Sequence, residues 1–73
     1  MISLDKAKKN KVYSIVAYQA EDKVLYRLLE LGFTVGQKIK ILKTSLLGRA
    51  CLIEIRGYLL SVKIEILKRI LVE

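Results

Sequence analysis

The stretch from residue 25 to residue 41 constrains the fold more than any other part of this 73-residue chain. Leu25, Leu28 and Leu29 recur at the i, i+3, i+4 spacing of a helix that buries one face. Gly32 follows at the position of a left-handed helix C-cap, and Gly36 marks a second turn. The alternation of isoleucine and lysine that follows predicts a strand with one buried face. The sequence therefore predicts a helix, a glycine cap, a turn and a strand in direct succession.

The rest of the chain adds further short strands separated by turn residues. Gly48 suits a hairpin bulge, and Gly57 suits a tight link between two strands. The predicted strands are residues 12–18, residues 37–43, a segment ending near Arg56, a segment from Tyr58 to Ile64, and residues 69–72. About five strands with one short helix inserted after the first strand favour a mainly β fold. We expect a small closed barrel that forms a single domain over residues 1–73.

The chain is both apolar and basic, with 53% hydrophobic residues and a net charge of +7. No apolar run reaches the length of about 18 residues that a membrane span needs. Lysines at positions 6, 8, 9 and 11 also interrupt the start, where a signal peptide would be apolar. We therefore expect a cytoplasmic protein without membrane insertion. The positive charge attracts nucleic acid, anionic lipid or an acidic protein face, or it keeps an apolar domain in solution.

The usual combinations of catalytic and metal-binding residues are missing. The sequence has no histidine, which removes the commonest general base and the commonest transition-metal ligand. A single cysteine, Cys51, cannot assemble a zinc or iron–sulfur site, and no phosphate-binding Gly-x-x-x-x-Gly-Lys loop is present. Cys51 alternates with Ile53 and Ile55, so we expect a small buried side chain rather than a reactive thiol. We expect neither an enzyme nor a bound metal or cofactor.

The glycine-punctuated stretch resembles the FeoA family, small cytoplasmic SH3-like proteins that accompany the ferrous iron transporter FeoB. The matching residues, in register, are Arg27, Leu28, Leu31, Gly32, Phe33, Gly36 and Ile39. Residues 53–63 and 70–72 resemble the later strands of the family. The chain departs from the family pattern where Asn10 and Lys11 replace a usual glycine and Val35 replaces a common proline.

The resemblance implies a non-catalytic accessory or regulatory protein that contacts a FeoB-type GTPase-permease without holding iron tightly. We expect two contact surfaces, one formed by Arg27 and Phe33 and the other by Leu46, Leu47 and Arg49. Each has a structural alternative: Arg27 as a solubilising charge, Phe33 as a cover of the core, and the two leucines as side chains folded back on the core. An exposed leucine loop would suit a partner or self-association.

Two other functions remain open from the sequence. A small basic barrel of this kind could bind RNA or DNA, and binding that persists at physiological ionic strength would support that function. The fold would also suit the C-terminal SH3-like unit of DtxR-type metal repressors, which normally follows a DNA-binding domain.

Overall fold

The computed structural model describes residues 1–19, 21–45 and 47–73, with Asp22 as backbone only. Six strands and two helices follow one another along these residues, with one 3-10 turn near the start. The elements are β1 (Ile2–Ser3), a 3-10 helix (Leu4–Lys6), β2 (Val12–Tyr18), α1 (Asp22–Glu30), β3 (Lys38–Thr44), β4 (Ala50–Ile55), β5 (Tyr58–Lys63), α2 (Ile64–Leu67) and β6 (Ile70–Val72).

The strands form one antiparallel sheet in the order β1-β6-β2-β3-β4-β5. Strand β2 therefore lies between β6, the last strand, and β3, which begins the β3–β4–β5 meander. Ile15 pairs with Val72 and Ala17 pairs with Leu71, so Val16 is an extra residue on β2. A bulge of this kind bends a strand, which allows β2 to pair with β6 on one side and with β3 on the other side of a curved sheet.

The prediction of a mainly β fold with one short helix near the start of the sheet is confirmed, and the strand predicted to precede this helix is β2 rather than the first strand. The two-residue strand β1, which pairs with β6, was not predicted, and the count rises from about five strands to six. The prediction that the fourth strand runs through Ile64 is wrong, because the strand ends at Lys63 and α2 begins at Ile64. The β-branched residues there favour a strand locally, but the Ile64 carbonyl accepts a helical hydrogen bond from the backbone N–H of Lys68 at 3.0 Å.

The core is entirely apolar among the described residues. Its buried members are Leu4, Tyr13, Ile15, Leu28, Phe33, Ile39, Ile41, Cys51, Ile53, Ile55, Val62, Leu67, Ile70 and Val72. Cys51 is one of them, as predicted, and its Sγ lies 3.7 Å from Thr44 Oγ1. The buried side chains form one cluster, and many of the other aliphatic side chains of this short chain stay partly or fully exposed.

The buried stripe of α1 differs from the predicted one. Leu28 is fully buried, but Leu29 is exposed, and Val24 and Leu31 pack against the core instead. Val24, Leu28 and Leu31 also follow helical spacing, so the sequence contains two overlapping stripes. The docking of the helix on the sheet selects between them.

The end of α1 is a Schellman cap, as Gly32 predicts. Gly32 has a φ of +95°, its N–H donates to the Leu29 carbonyl at 3.0 Å, and the Phe33 N–H donates to the Leu28 carbonyl at 3.0 Å. The Tyr18 hydroxyl, at the end of β2, donates to the Phe33 carbonyl. The cap therefore joins the helix to the last residue of the preceding strand.

The β4–β5 hairpin turns through Arg56 and Gly57, which have φ values of +54° and +83°. Two consecutive positive φ values are the requirement of a type I′ turn, whose twist matches that of the flanking strands. Gly36 and Gly48, the other predicted turn glycines, also have positive φ values of +90° and +66°.

We predict that Gly32→Ala destabilises the protein more than Gly36→Ala. Both alanines would be forced into a left-handed conformation, at a cost of about 1–2 kcal/mol. At Gly32 the new Cβ would also lie 3.0 Å from Arg56 Cδ and 3.2 Å from Tyr58 Oη, whereas at Gly36 nothing lies within 4 Å. We expect this crowding to add about 1 kcal/mol in denaturant unfolding. Equal losses for the two variants would show that the hairpin does not hold the cap.

We predict that Tyr18→Phe lowers the free energy of unfolding by about 1 kcal/mol, because the hydrogen bond to the Phe33 carbonyl is lost. Burial raises the pKa of the Tyr18 phenol. The unfolded chain therefore releases this proton more readily, and the wild-type protein loses stability as pH rises above about 10. Denaturant titrations on both sides of that pH should show a smaller alkaline loss for Tyr18→Phe. The exposed Tyr26→Phe is the control, and it should retain the wild-type alkaline loss.

Candidate partner-binding groove

An apolar groove of about 390 Å³ lies between α1, the edge strand β5 and α2. Its helical wall consists of Val24, Leu28 and Leu31, the same stripe by which α1 packs on the core. Val62 of β5 and Ile66 of α2 form the opposite wall. Leu28 is fully buried, so the apolar surface open to the groove comes mainly from the partly buried Val24, Leu31 and Ile66, which pack against the core.

The rim of the groove is positively charged. Lys23 and Arg27 lie one helical turn apart on α1, and Lys63 ends β5 on the other side. All three residues are exposed, and Ser61 is the remaining polar residue of the lining. No carboxylate lines the groove among the described residues. Apolar walls between positive rims suit a segment that combines apolar side chains with acidic ones.

The structure places the first predicted contact pair in different environments. Arg27 is exposed and lines the groove. Phe33 is 0% exposed and lies in the core, so it is removed from the set of contact residues. Its backbone is held by the helix cap and by Tyr18, and its ring covers the core, which was the structural alternative for this residue.

The second predicted surface is the loop between β3 and β4. Leu47 is 78% exposed and Arg49 is exposed too, whereas Leu46 lies outside the described residues. Ser45 Oγ accepts hydrogen bonds from the backbone N–H groups of Arg49 and Ala50, at 3.1 and 3.3 Å. The loop thus presents Leu47 to solvent on a backbone that Ser45 organises.

Lys63 connects the two predicted surfaces. It lines the groove beside α1, and it also lines a neighbouring hollow together with Arg49, Ile64 and Glu65. Arg27 and Arg49 therefore border two adjacent depressions that share Lys63. The sequence predicted both contact surfaces, but no local pattern indicated that they would be adjacent.

Sequence reasoning missed the side of the groove opposite α1, which consists of Val62, Lys63 and Ile66. The alternation of the fourth strand predicts only that Val62 faces inward. Its position in the groove wall depends on where α1 packs on the sheet. Helix α2 has four residues, too few for a helical period to be visible in the sequence. No local pattern could have identified this wall.

Two findings concern what the described part of the chain does not contain. No group of three or more His, Cys, Asp or Glu side chains within it is arranged to hold a metal ion. None of the helices in the described ranges is long and apolar enough to cross a membrane.

The chain was compared with protein-family models and with known proteins. The FeoA domain model matches residues 2–73. A search of curated proteins gave no match. Solved structures of FeoA proteins do match, and they share the fold described above.

Three of these structures illustrate the likeness. The FeoA-like protein from Clostridium acetobutylicum is 28% identical with a TM-score of 0.90, and the match covers 99% of this chain and 84% of that one. Zinc-complexed FeoA from Stenotrophomonas maltophilia, described as a prokaryotic SH3 domain protein, is 22% identical with a TM-score of 0.84, over 100% of this chain and 91% of that one. The manganese regulator SloR is 21% identical with a TM-score of 0.85, over 99% of this chain and only 34% of the regulator.

The predicted SH3-like fold is thus confirmed, and the family match extends over nearly the whole sequence. The chain belongs to the FeoA domain family, the non-catalytic accessory proteins of ferrous iron transport.

Proposed function

We propose that this protein binds the cytoplasmic part of a FeoB-type GTPase-permease through the groove between α1, β5 and α2, and that it regulates or assembles the transporter by this contact. The observation on which the proposal depends is the groove itself, with apolar walls and with Lys23, Arg27 and Lys63 on its rims. Family membership supports association with ferrous iron transport. The permease as direct partner, and the groove as its site, are our proposal.

The apolar walls and the charged rim of the groove would contribute to binding in different ways. Covering the apolar walls with apolar side chains would provide favourable free energy of about 25 cal/mol per Å². The rim charges would select an acidic segment and speed its association. Leu47, on the adjacent loop, would add contact area, because the groove alone is smaller than a standard protein interface. Leu47 is also the residue that would serve self-association.

We predict that the double variant Arg27→Gln, Lys63→Gln binds the purified cytoplasmic domain of FeoB at least tenfold more weakly than the wild type. Each rim charge facing an acidic partner contributes roughly 1 kcal/mol, and two such losses exceed a factor of ten. Isothermal titration calorimetry would measure the affinity. Lys68→Gln, Arg69→Gln is the matched control, because it removes the same charge from exposed residues outside the groove. Equal weakening by both double variants would contradict the proposed site.

We predict that Leu47→Ser weakens the same binding, or lowers self-association, without changing the free energy of unfolding by more than about 0.5 kcal/mol. The side chain is 78% exposed, so little burial is lost on truncation in the free protein. Calorimetry, analytical ultracentrifugation and denaturant unfolding would measure the three quantities. Unchanged association together with a large loss of stability would show that Leu47 packs on the protein itself.

The identity of the partner is tested by affinity capture of the tagged protein from native membrane extract at physiological salt with nuclease treatment. Recovery of a large GTPase-permease by the wild type, and its loss with the groove double variant, is the expected result. Recovery of only nucleic-acid-associated proteins, abolished by nuclease, would support the RNA- or DNA-binding alternative instead.

A further inference from the structure

The outer face of the sheet has a row of lysines along β3. Lys38 and Lys40 lie on this face by simple alternation with the buried Ile39 and Ile41. Uninterrupted alternation would turn Lys43 inward with the isoleucines. The structure keeps Lys43 on the outer face.

The reason is a bulge at Leu42. Ile41 pairs with Ile53, but Lys43 pairs with Leu52, so Leu42 is an extra residue on β3. The bulge shifts the alternation by one position, as one added residue must. Lys43 consequently joins the outer face, and the next residue of the strand faces the buried Cys51.

A fourth lysine joins the row from the N-terminal segment. Lys9 forms a parallel bridge with Ile41, and the N–H of Asn10 donates to the Ile41 carbonyl at 2.7 Å. Lys9 and Lys43 line the same shallow depression. We call Lys9, Lys38, Lys40 and Lys43 the lysine face.

The positive charge of the lysine face is only slightly neutralised. Glu54 is the one carboxylate on the outer face of β2–β5 among the described residues, and its Oε1 lies 3.8 Å from Lys40 Nζ. Lys38 Nζ donates to Ser14 Oγ at 2.6 Å, a contact that orients the ammonium group without cancelling its charge. Neither Lys9 nor Lys43 has a carboxylate within ion-pair distance in the described part of the chain.

Exposed aliphatic side chains lie beside these lysines. Val12, Lys40, Glu54 and Leu59 are cross-strand neighbours in one row across four strands. Val12 and Leu59, at the ends of the row, are 57% and 54% exposed. The Lys40–Glu54 ion pair is therefore flanked on both sides by an aliphatic side chain open to solvent.

Aromatic side chains are absent from the outer face of β2–β5 in the described ranges. Tyr13 and Phe33 are in the core, Tyr18 binds the Phe33 carbonyl, Tyr26 is on α1, and Tyr58 Oη lies 3.5 Å from the Leu31 carbonyl oxygen. Surfaces that bind single-stranded nucleic acid stack bases on aromatic rings. Lysines flanked by exposed aliphatic side chains instead match the charge and the apolar boundary of an anionic membrane surface.

We propose that the lysine face is a peripheral membrane-binding surface that recognises anionic phospholipid headgroups. The ammonium groups would contact the phosphates, and Val12 and Leu59 would rest at the boundary of the acyl chains. The proposal is independent of the groove, because none of the residues of the lysine face lines it. Vesicles without any permease therefore test it separately.

The test is co-sedimentation of the full chain with vesicles that contain phosphatidylglycerol, compared with vesicles of phosphatidylcholine alone, at about 0.15 M ionic strength. The face variant is Lys38→Gln, Lys40→Gln, Lys43→Gln. The matched control is Lys6→Gln, Lys68→Gln, Arg69→Gln, three exposed cations that are not part of the lysine face. Both variants lower the net charge by three, from +7 to +4. A third variant, with arginine at positions 38, 40 and 43, keeps the charge of the face.

We expect the wild type to bind only the anionic vesicles. Because each basic residue near an anionic leaflet is worth about a fivefold change in partitioning, the face variant should bind roughly 100-fold more weakly. The control should lose much less, and the arginine variant should bind like the wild type. Circular dichroism and thermal unfolding of each variant would establish that the fold is retained.

Three results would overturn the proposal. The first is that the wild type does not bind the anionic vesicles. The second is that the face variant and the control lose equal affinity, because total charge would then explain the adsorption. The third is tighter binding to single-stranded RNA or duplex DNA than to anionic vesicles at the same ionic strength, with loss in the face variant. That result would assign the face to nucleic acid.

Discussion

The fold depends on the double pairing of β2. Ser14 exchanges backbone hydrogen bonds with Glu73 at the end of β6, at 2.8 and 3.0 Å. The next residue, Ile15, bonds in the opposite direction, donating to Gln37 at 3.0 Å and accepting from Gly36 at 2.7 Å. The fully buried Ile15 side chain joins the core between these two sets of bonds. Among the described residues, no other strand links β1 and β6 to the β3–β4–β5 meander.

The groove forms because α1, which follows β2, lies beside the edge strand β5. Helix α1 connects β2 to β3. The Tyr18 hydroxyl donates to the Phe33 carbonyl on one side of its C-cap, and the hydroxyl of Tyr58, in the β4–β5 hairpin, lies 3.5 Å from the Leu31 carbonyl oxygen on the other. The helix is thereby held next to β5, an edge strand of the sheet. The partly buried side chains of Val24, Leu31 and Ile66 consequently keep some apolar surface open to solvent between the helix and the edge of the sheet.

The two proposed contacts are compatible with each other. The groove involves α1, α2 and the end of β5, whereas the lysine face lies along β3 on the outer side of the sheet. A protein held at an anionic membrane by the lysine face would have its groove open to the cytoplasmic part of a membrane permease. Restriction to the membrane surface would raise the effective concentration of the two partners without adding any contact between them.

The sequence by itself determined the mainly β class, the position of α1, the Gly32 cap and the inward-facing residues of β3 and β4, because helical spacing, strand alternation and glycine turns are local patterns. It also named Arg27 and Leu47 as candidate contact residues, but it left open whether Leu47 and Phe33 are exposed or packed on the core, which depends on tertiary packing. Tertiary structure alone decided which stripe of α1 is buried, where α2 replaces a strand, and on which face Lys43 lies. These outcomes depend on strand register and on packing between segments distant in sequence, which no local periodicity records.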